Sequence, residues 1–261
     1  MKALPRVKKS LGQHFLTSQK TLEKIVEVAR LKEGETVLEI GPGGGALTRS
    51  LLNAGARVIA VEKDDELIPL LEETFAQEIA TRQLTLIHND ILNFKPEDRD
   101  YQLKAKNYKL IANIPYYLTG QILRQFIASG TPPTLAVLML QKEVAERITA
   151  RDGKESILSV SVKAYGTPRY IRTVPAGSFS PPPKVASAVL LVDNINRSNF
   201  LSTDEKKFFS IVKRGFAQKR KMLKNNLGIK GGELAACGVA PKARAEDLTL
   251  EQWLCLAKLE F

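Results

Sequence analysis

The segment Asn113-Ile114-Pro115-Tyr116 combines an amide, an apolar residue held ahead of a proline, and a phenol, just where the apolar run Tyr108 to Ile111 should end as a strand. Those residue types suit one kind of chemistry. An exocyclic amine on a purine is a poor nucleophile because its lone pair is delocalised into the ring, and acceptors on its N–H bonds favour the pyramidal nitrogen that can attack. The side-chain oxygen of Asn113 is one such acceptor and the carbonyl of Ile114 a second. Pro115 lacks an N–H and restricts Ile114 to extended geometry, which aims that carbonyl. Tyr116 offers a face on which a base can stack, and Phe179, in the loop Ser178 to Pro183, offers a cover for the opposite face. Stacking on an extruded base is worth about 1–3 kcal/mol. The amine becomes acidic as it is alkylated, so no strong general base is required and none stands out. A plain Asn-x-Pro turn with a packed tyrosine would look the same in isolation, so the choice depends on what else lies at this edge.

A second cluster answers that. Glu39 to Thr48 reads EIGPGGGALT, with Gly41, Gly43 and Gly45 removing side chains between a strand and a helix whose first amides are unpaired. This is a cradle for a nucleotide-like ligand. Glu62, ending the next strand, suits a ribose diol. The same spacing satisfies a dinucleotide fingerprint, and alone it does not separate NAD from S-adenosylmethionine. Glu39 tips the balance, since a carboxylate suits a cationic sulfonium amino acid and would repel a pyrophosphate. Asp90, closing the third strand, can accept from an adenine amine or cap the following segment.

Elements that position these residues follow from periodicity. Thr21 to Leu31 has helical spacing of apolar residues with Ser18 as its cap; Thr36–Ile40 and Arg57–Glu62 read as strands; Ala46–Asn53 and Asp64–Gln77 read as helices. The alternation continues through strands at residues 84–90, 109–116 and 134–140 and helices at 119–128 and 141–150, which implies an α/β fold with a doubly wound, mostly parallel sheet. Arg169–Val174 and Ser187–Val192 would form an antiparallel hairpin at the sheet edge. Residues 1–198 form the first domain, with a basic N-terminal arm, and 199–261 a small helical domain.

The net charge of +11 on 261 residues favours a polyanionic partner, because basic side chains that neutralise phosphates release counterions. Lys206 to Lys230 is rich in basic residues and contains no acidic one; Lys213, Arg214, Lys219, Arg220, Lys221 and Lys224 are the expected RNA contacts, and the arm carrying Lys2, Arg6, Lys8 and Lys9 repeats the pattern. Phe208, Phe209, Phe216 and Met222, interleaved at helical spacings, are expected to face the core. Cys237 and Cys255 stand apart with no metal-ligand spacing, and are read as buried free thiols, with neither a zinc site nor a disulfide. No apolar run approaches a membrane span or a secretory signal, which points to a cytoplasmic protein.

Six segments, SLGQHFL (10–16), EIGPGGGALT (39–48), VEKD (61–64), HNDIL (88–92), NIPY (113–116) and FSPPPKVASAV (179–189), occur in an order that resembles the KsgA-type small-subunit ribosomal RNA adenine N6,N6-dimethyltransferases along essentially the whole chain. The resemblance implies a seven-stranded class I methyltransferase sheet with a helical C-terminal domain and S-adenosylmethionine as cofactor, with no metal. It implies as substrate two adjacent adenines in the 3′-terminal hairpin of small-subunit rRNA within a pre-ribosomal particle; nothing in the sequence demands more than a monomer. It places His14 and Leu16 on the cofactor's entry side, Gly41 at its amino-acid part, Glu62 on its ribose, Asp90 on its adenine, Asn113 between cofactor and base, and Tyr116 and Phe179 as the stacking pair. Tyr117 and Leu118 are left to anchor the next helix, and His88 to a structural role. Ile114 and His14 depart mildly from the common leucine and asparagine; the imidazole either contacts the cofactor or only shapes the pocket. The rivals are the macrolide-resistance large-subunit adenine methyltransferases, which share every motif, and a non-catalytic RNA-binding factor on the same fold.

Overall fold

The computed structural model describes Lys8 and residues 11–96, 103–105 and 107–259; Lys2, Arg6, Lys9 and Ser10 lie outside them. In chain order the strands are β1 (Phe15–Leu16), β2 (Thr36–Ile40), β3 (Arg57–Glu62), β4 (Leu84–His88), β5 (Tyr108–Asn113), β6 (Leu135–Gln141), β7 (Thr167–Val174), β8 (Phe179–Ser180) and β9 (Ser187–Asp193). The helices are α1 (Gln19–Ala29), α2 (Ala46–Asn53), α3 (Ile68–Thr74), α4 (Ala76–Ala80), α5 (Thr119–Ile122), α6 (Lys142–Thr149), α7 (Ile157–Lys163), α8 (Glu205–Gly215), α9 (Leu223–Leu227), α10 (Gly231–Ala236) and α11 (Leu250–Lys258).

Strands β2, β3, β5 and β6 are buried along almost their full length, which is why they read as continuous apolar runs instead of alternating ones. They form a seven-stranded sheet in the order β4-β3-β2-β5-β6-β9-β7. Neighbours from β4 through β6 are parallel, while β9 runs antiparallel to β6. The doubly wound α/β expectation holds, and β7 and β9 are neighbours at the edge. The loop between them differs from expectation: Phe179–Ser180 forms β8 and pairs with β1 in a separate two-stranded sheet.

Local departures have local causes. Ser18 sits at the start of α1, but its side chain caps no backbone amide; its hydroxyl accepts from Thr21 Oγ1 instead. The helix expected over Asp64–Gln77 begins only at Ile68, next to Pro69, and breaks at the buried Phe75. The one expected over Thr119–Ala128 is α for a single turn and then widens into a π-type turn, Leu123–Ile127. Helix α7, unforeseen, is set by a capping box in which Ser156 and Ser159 exchange hydrogen bonds.

The chain divides into two compact units: the described residues up to Ala145 with Arg169–Ile195, and Glu146–Pro168 with the described residues from Asn196 onward. A division at 198 therefore leaves out residues 146–168, which the structure places with the second unit. Their anchor is Tyr165, whose ring packs against Phe200 and Phe209 and whose hydroxyl donates to Glu205. In that unit α8 is capped by Asp204 and α11 by a Thr249–Gln252 box, and Phe208, Leu223, Leu234 and Trp253 are buried. Phe216 stacks on Trp253, as its helical spacing suggested.

The cysteine expectation is overturned. Cys237, just after α10, and Cys255, on α11, form a disulfide with Cα atoms 5.6 Å apart, and neither residue is fully buried. Helix packing brings together two thiols that their sequence spacing does not pair. Among the described residues no helix is long and apolar enough to cross a membrane.

Candidate active site

Sheet order reverses between β2 and β5, and their register pairs Ile40 with Ala112. Gly41 and Asn113 therefore leave adjacent strands side by side, at the switch point where open α/β sheets bind ligands. Ile40 is also paired with Val61, which brings Glu62 to the same edge. These ends surround a cavity of about 670 Å³ lined by His14, Leu16, the glycine loop, Glu62, Asp90 and residues 113–118.

The glycine loop is shaped by what lies behind it. Gly41 has φ +65° and open space where a Cβ would be, so a ligand can reach its backbone; at Gly43, φ +58°, a Cβ would stand 2.9 Å from the Phe15 ring. Glu62 holds the loop in place, accepting from the Gly43 amide at 3.1 Å and from the Lys63 and Asp64 amides at 2.8 Å each. A carboxylate has about four acceptor positions, so one is left for a ligand hydroxyl. Burial pushes its carboxyl above the usual range. Asp90 accepts from Lys63 at 2.7 Å and from the Leu92 amide at 3.0 Å, so it caps the following segment while also lining the cavity. Burial opposes ionisation there, but these two bonds win and hold its carboxyl below the usual range.

Asn113 is oriented by the chain segment facing it. Its Nδ2 donates to the His14 carbonyl at 2.9 Å. A carbonyl can only accept, so the other end of the amide, Oδ1, is the end left without a partner among the described residues. Ile114 is buried and its amide bonds to the Met139 carbonyl at 3.0 Å, which fixes the strand end before Pro115. The Tyr116 hydroxyl lies 2.8 Å from Ser187 Oγ, and its ring lies near-parallel to that of His14, with centroids 6.2 Å apart. His14 Nδ1 is in turn 2.8 Å from the Pro181 carbonyl.

The segment carrying His14 is strapped down from both ends. Lys8 pairs with Asp64, Asp65 and Glu66, and Gln13 donates to the buried Asp64. Thr17 then bonds to the Ser178 carbonyl. Lys8 is thus committed to acidic partners, unlike the RNA-contacting arm expected from its charge.

Two expectations change. Phe179 does not line the cavity: in β8 it pairs with Leu16 and is 5% exposed within the core, so the structure does not bring it face to face with Tyr116. Tyr117, expected to anchor the next helix, is 58% exposed at the cavity wall, and only Leu118 is buried. The positioning contacts of Ser187, Gln13, Asp64 and the Pro181 carbonyl had no signal in the sequence, since each depends on pairing between distant segments.

A family model described as ribosomal RNA adenine dimethylase matches residues 5–260. The chain belongs to that family. Among curated relatives, ribosomal RNA small subunit methyltransferase A of Dehalococcoides mccartyi is 41% identical, covering 98% of this chain and 89% of the relative. The protein of the same name from Streptococcus sanguinis is 39% identical, covering 96% and 90%. Among solved structures, a dimethyladenosine transferase from Plasmodium falciparum aligns with TM-score 0.77 at 26% identity, over 93% of this chain and 96% of that one. The 23S rRNA methyltransferase ErmE aligns with the same score and identity, over 94% and 98%.

As an adenine dimethylase the chain is an S-adenosylmethionine-dependent rRNA methyltransferase. The residues present fit that cofactor. The cavity has the volume of a small-molecule site, and Gly41 leaves room at its backbone. Glu39 is fully buried with both carboxylate oxygens unpartnered, as is the nearby Thr48 hydroxyl. Buried polar atoms are rarely left so; both residues stand behind the glycine loop and outside the cavity lining, so Glu39 would favour a cationic amino-acid group through its field and not by contact. Of the dimethylase's basic candidates, Lys213, Lys219, Arg220 and Lys221 are exposed and Lys224 partly so. Arg214, although exposed, donates to the Leu227 carbonyl and so closes the end of α9.

Proposed function

We propose that the enzyme dimethylates the N6 amines of two adjacent adenines in the 3′-terminal hairpin of small-subunit rRNA, acting as a monomer on a pre-ribosomal particle in the cytoplasm. The observation that carries the catalytic part is the Asn113 amide, whose donor is spent on the His14 carbonyl so that its oxygen remains to accept from the substrate amine. In this reading Asn113 Oδ1 and the Ile114 carbonyl draw the two N–H bonds away from the ring plane and expose the nitrogen lone pair. Tyr116 supplies the stacking face; burial raises its phenol pKa, so it stays neutral and serves as a surface, not a base. Phe179 supports the site from behind by fixing β1. Gly41 and Gly43, with His14 and Leu16, border the amino-acid and entry sides of the cofactor, Glu62 takes one ribose hydroxyl and Asp90 the adenine amine. S-adenosylmethionine supplies the electrophilic methyl group. The proton lost after transfer goes to water.

The choice of ribosomal subunit is supported by the names of the curated relatives, since the dimethyladenosine transferase and the large-subunit enzyme ErmE fit the fold equally well. Incubation with labelled methyl donor and undermethylated small subunits should label two adjacent adenines; label on large-subunit RNA alone, or none, would overturn the assignment. Asn113→Ala should lower transfer by about a hundredfold or more, the scale of losing one group that stabilises a transition state, with RNA binding largely kept. Retention of turnover at saturating substrate would remove Asn113 from this role.

A further inference from the structure

We propose that Ser187 is a positioning residue for methyl transfer, its buried hydroxyl holding the ring of Tyr116 at the angle needed to receive the target base. Strand β9 contributes nothing to the cavity wall, and Ser187 is fully buried, paired in register with Gln141 at the end of β6. Its Oγ is nevertheless 2.8 Å from the Tyr116 hydroxyl. Tyr116 opens a short 3-10 turn immediately after Pro115, and its backbone is tied by Thr119 Oγ1, which donates to the Tyr116 carbonyl. That bond fixes the main chain but leaves the ring free to swing about its Cα–Cβ and Cβ–Cγ bonds. A hydrogen bond at the phenol oxygen acts at the far end of the ring, where it has the longest lever against that swing. Ser187 thereby couples the antiparallel edge of the sheet to a residue at its centre, and a small misplacement of a group that orients substrate is costly in rate.

This role rests on Tyr116 being the stacking face proposed above, and the test separates the two. Ser187→Ala, Tyr116→Phe, the double variant and Tyr116→Ala are compared for kcat and KM on undermethylated small subunits, and for the dissociation constant of S-adenosylhomocysteine. Ser187→Ala and Tyr116→Phe should each lower kcat about tenfold, and the double variant should be no worse than the poorer single one, as expected for partners in one contact. Affinity for S-adenosylhomocysteine should stay within about twofold, which general damage to the fold would not allow. Wild-type kcat in either single variant, or losses that multiply in the double, would overturn the role. Should Ser187→Ala fail to fold, Tyr116→Phe alone decides, because it deletes the other half of the contact from a partly exposed side chain. Full activity in Tyr116→Ala would overturn the stacking reading itself, whereas an inactive Tyr116→Ala beside a fully active Ser187→Ala would overturn only the positioning.

Discussion

Glu39 shows how one residue's surroundings set its chemistry. Burial pushes its carboxyl up to about 8, with the charge of Glu62 adding to the rise. The acid is therefore neutral at pH 7 in the ligand-free protein. Because its folded pKa lies above its unfolded one, Glu39 adds no penalty below its ordinary pKa of 4.5; the ligand-free fold loses stability as pH rises from there to about 8, and the penalty is then complete. Glu39 does not line the cavity, but a cationic amino-acid group bound there would favour the charged form through its field and so release a proton on binding. Affinity for S-adenosylhomocysteine should thus rise between pH 6 and 8, with proton release visible by calorimetry in buffers of different ionisation enthalpy. Glu39→Gln should flatten that profile, and an equally steep profile in the variant would place the titrating group elsewhere. The sequence showed that Glu39 precedes a ligand loop; that its oxygens are sealed from solvent with no partner is a property of the packed sheet.

Among elements, α8 and α11 approach closely at Gly215. A Cβ on Gly215 would lie 2.4 Å from Trp253 Cη2 and 3.0 Å from Leu223 Cδ1. Gly215→Ala gains up to about 1 kcal/mol of helix propensity, but overpacking a filled core costs about 1–3 kcal/mol. The variant should be destabilised by about 1–2 kcal/mol on this balance. Trp253 is the single tryptophan of the chain, so its fluorescence during denaturant unfolding reads this unit directly; unchanged or increased stability would show that the helices can part without cost. Neither this approach nor β1 and β8 could be read from the sequence. Two-residue strands have no periodicity, and a glycine inside a helical pattern looks like a weakness until its partner ring is placed against it. The long buried strands were legible because both faces of each are covered.

At the scale of the whole molecule, the charge of +11 has a testable signature. Lys219, Arg220 and Lys221 are exposed on the turn between α8 and α9. If each neutralises one phosphate, replacing all three with alanine should flatten the dependence of log affinity on log salt by about 2–3. Filter-binding or fluorescence titrations of small-subunit RNA at several salt concentrations measure that slope, and an unchanged value would make the three a solvated surface. Net charge and clustering predict a polyanionic partner, but not which cations are already engaged. Lys8 is held by three acids and Arg214 by a helix-end carbonyl, and only the folded chain shows this.

The sequence by itself determined the alternating α/β order, the glycine loop at Gly41 to Gly45, the acidic residues at two strand ends, and the Asn113 segment proposed to activate the amine. These are local patterns, and the spacing of a loop between a strand and a helix is written within a dozen or so neighbouring residues. Tertiary structure decided which way the Asn113 amide faces, that Ser187 reaches Tyr116, that Phe179 turns into the core, and that Cys237 meets Cys255. Each of those contacts joins segments distant in the chain, and packing selects among partners that no local pattern distinguishes.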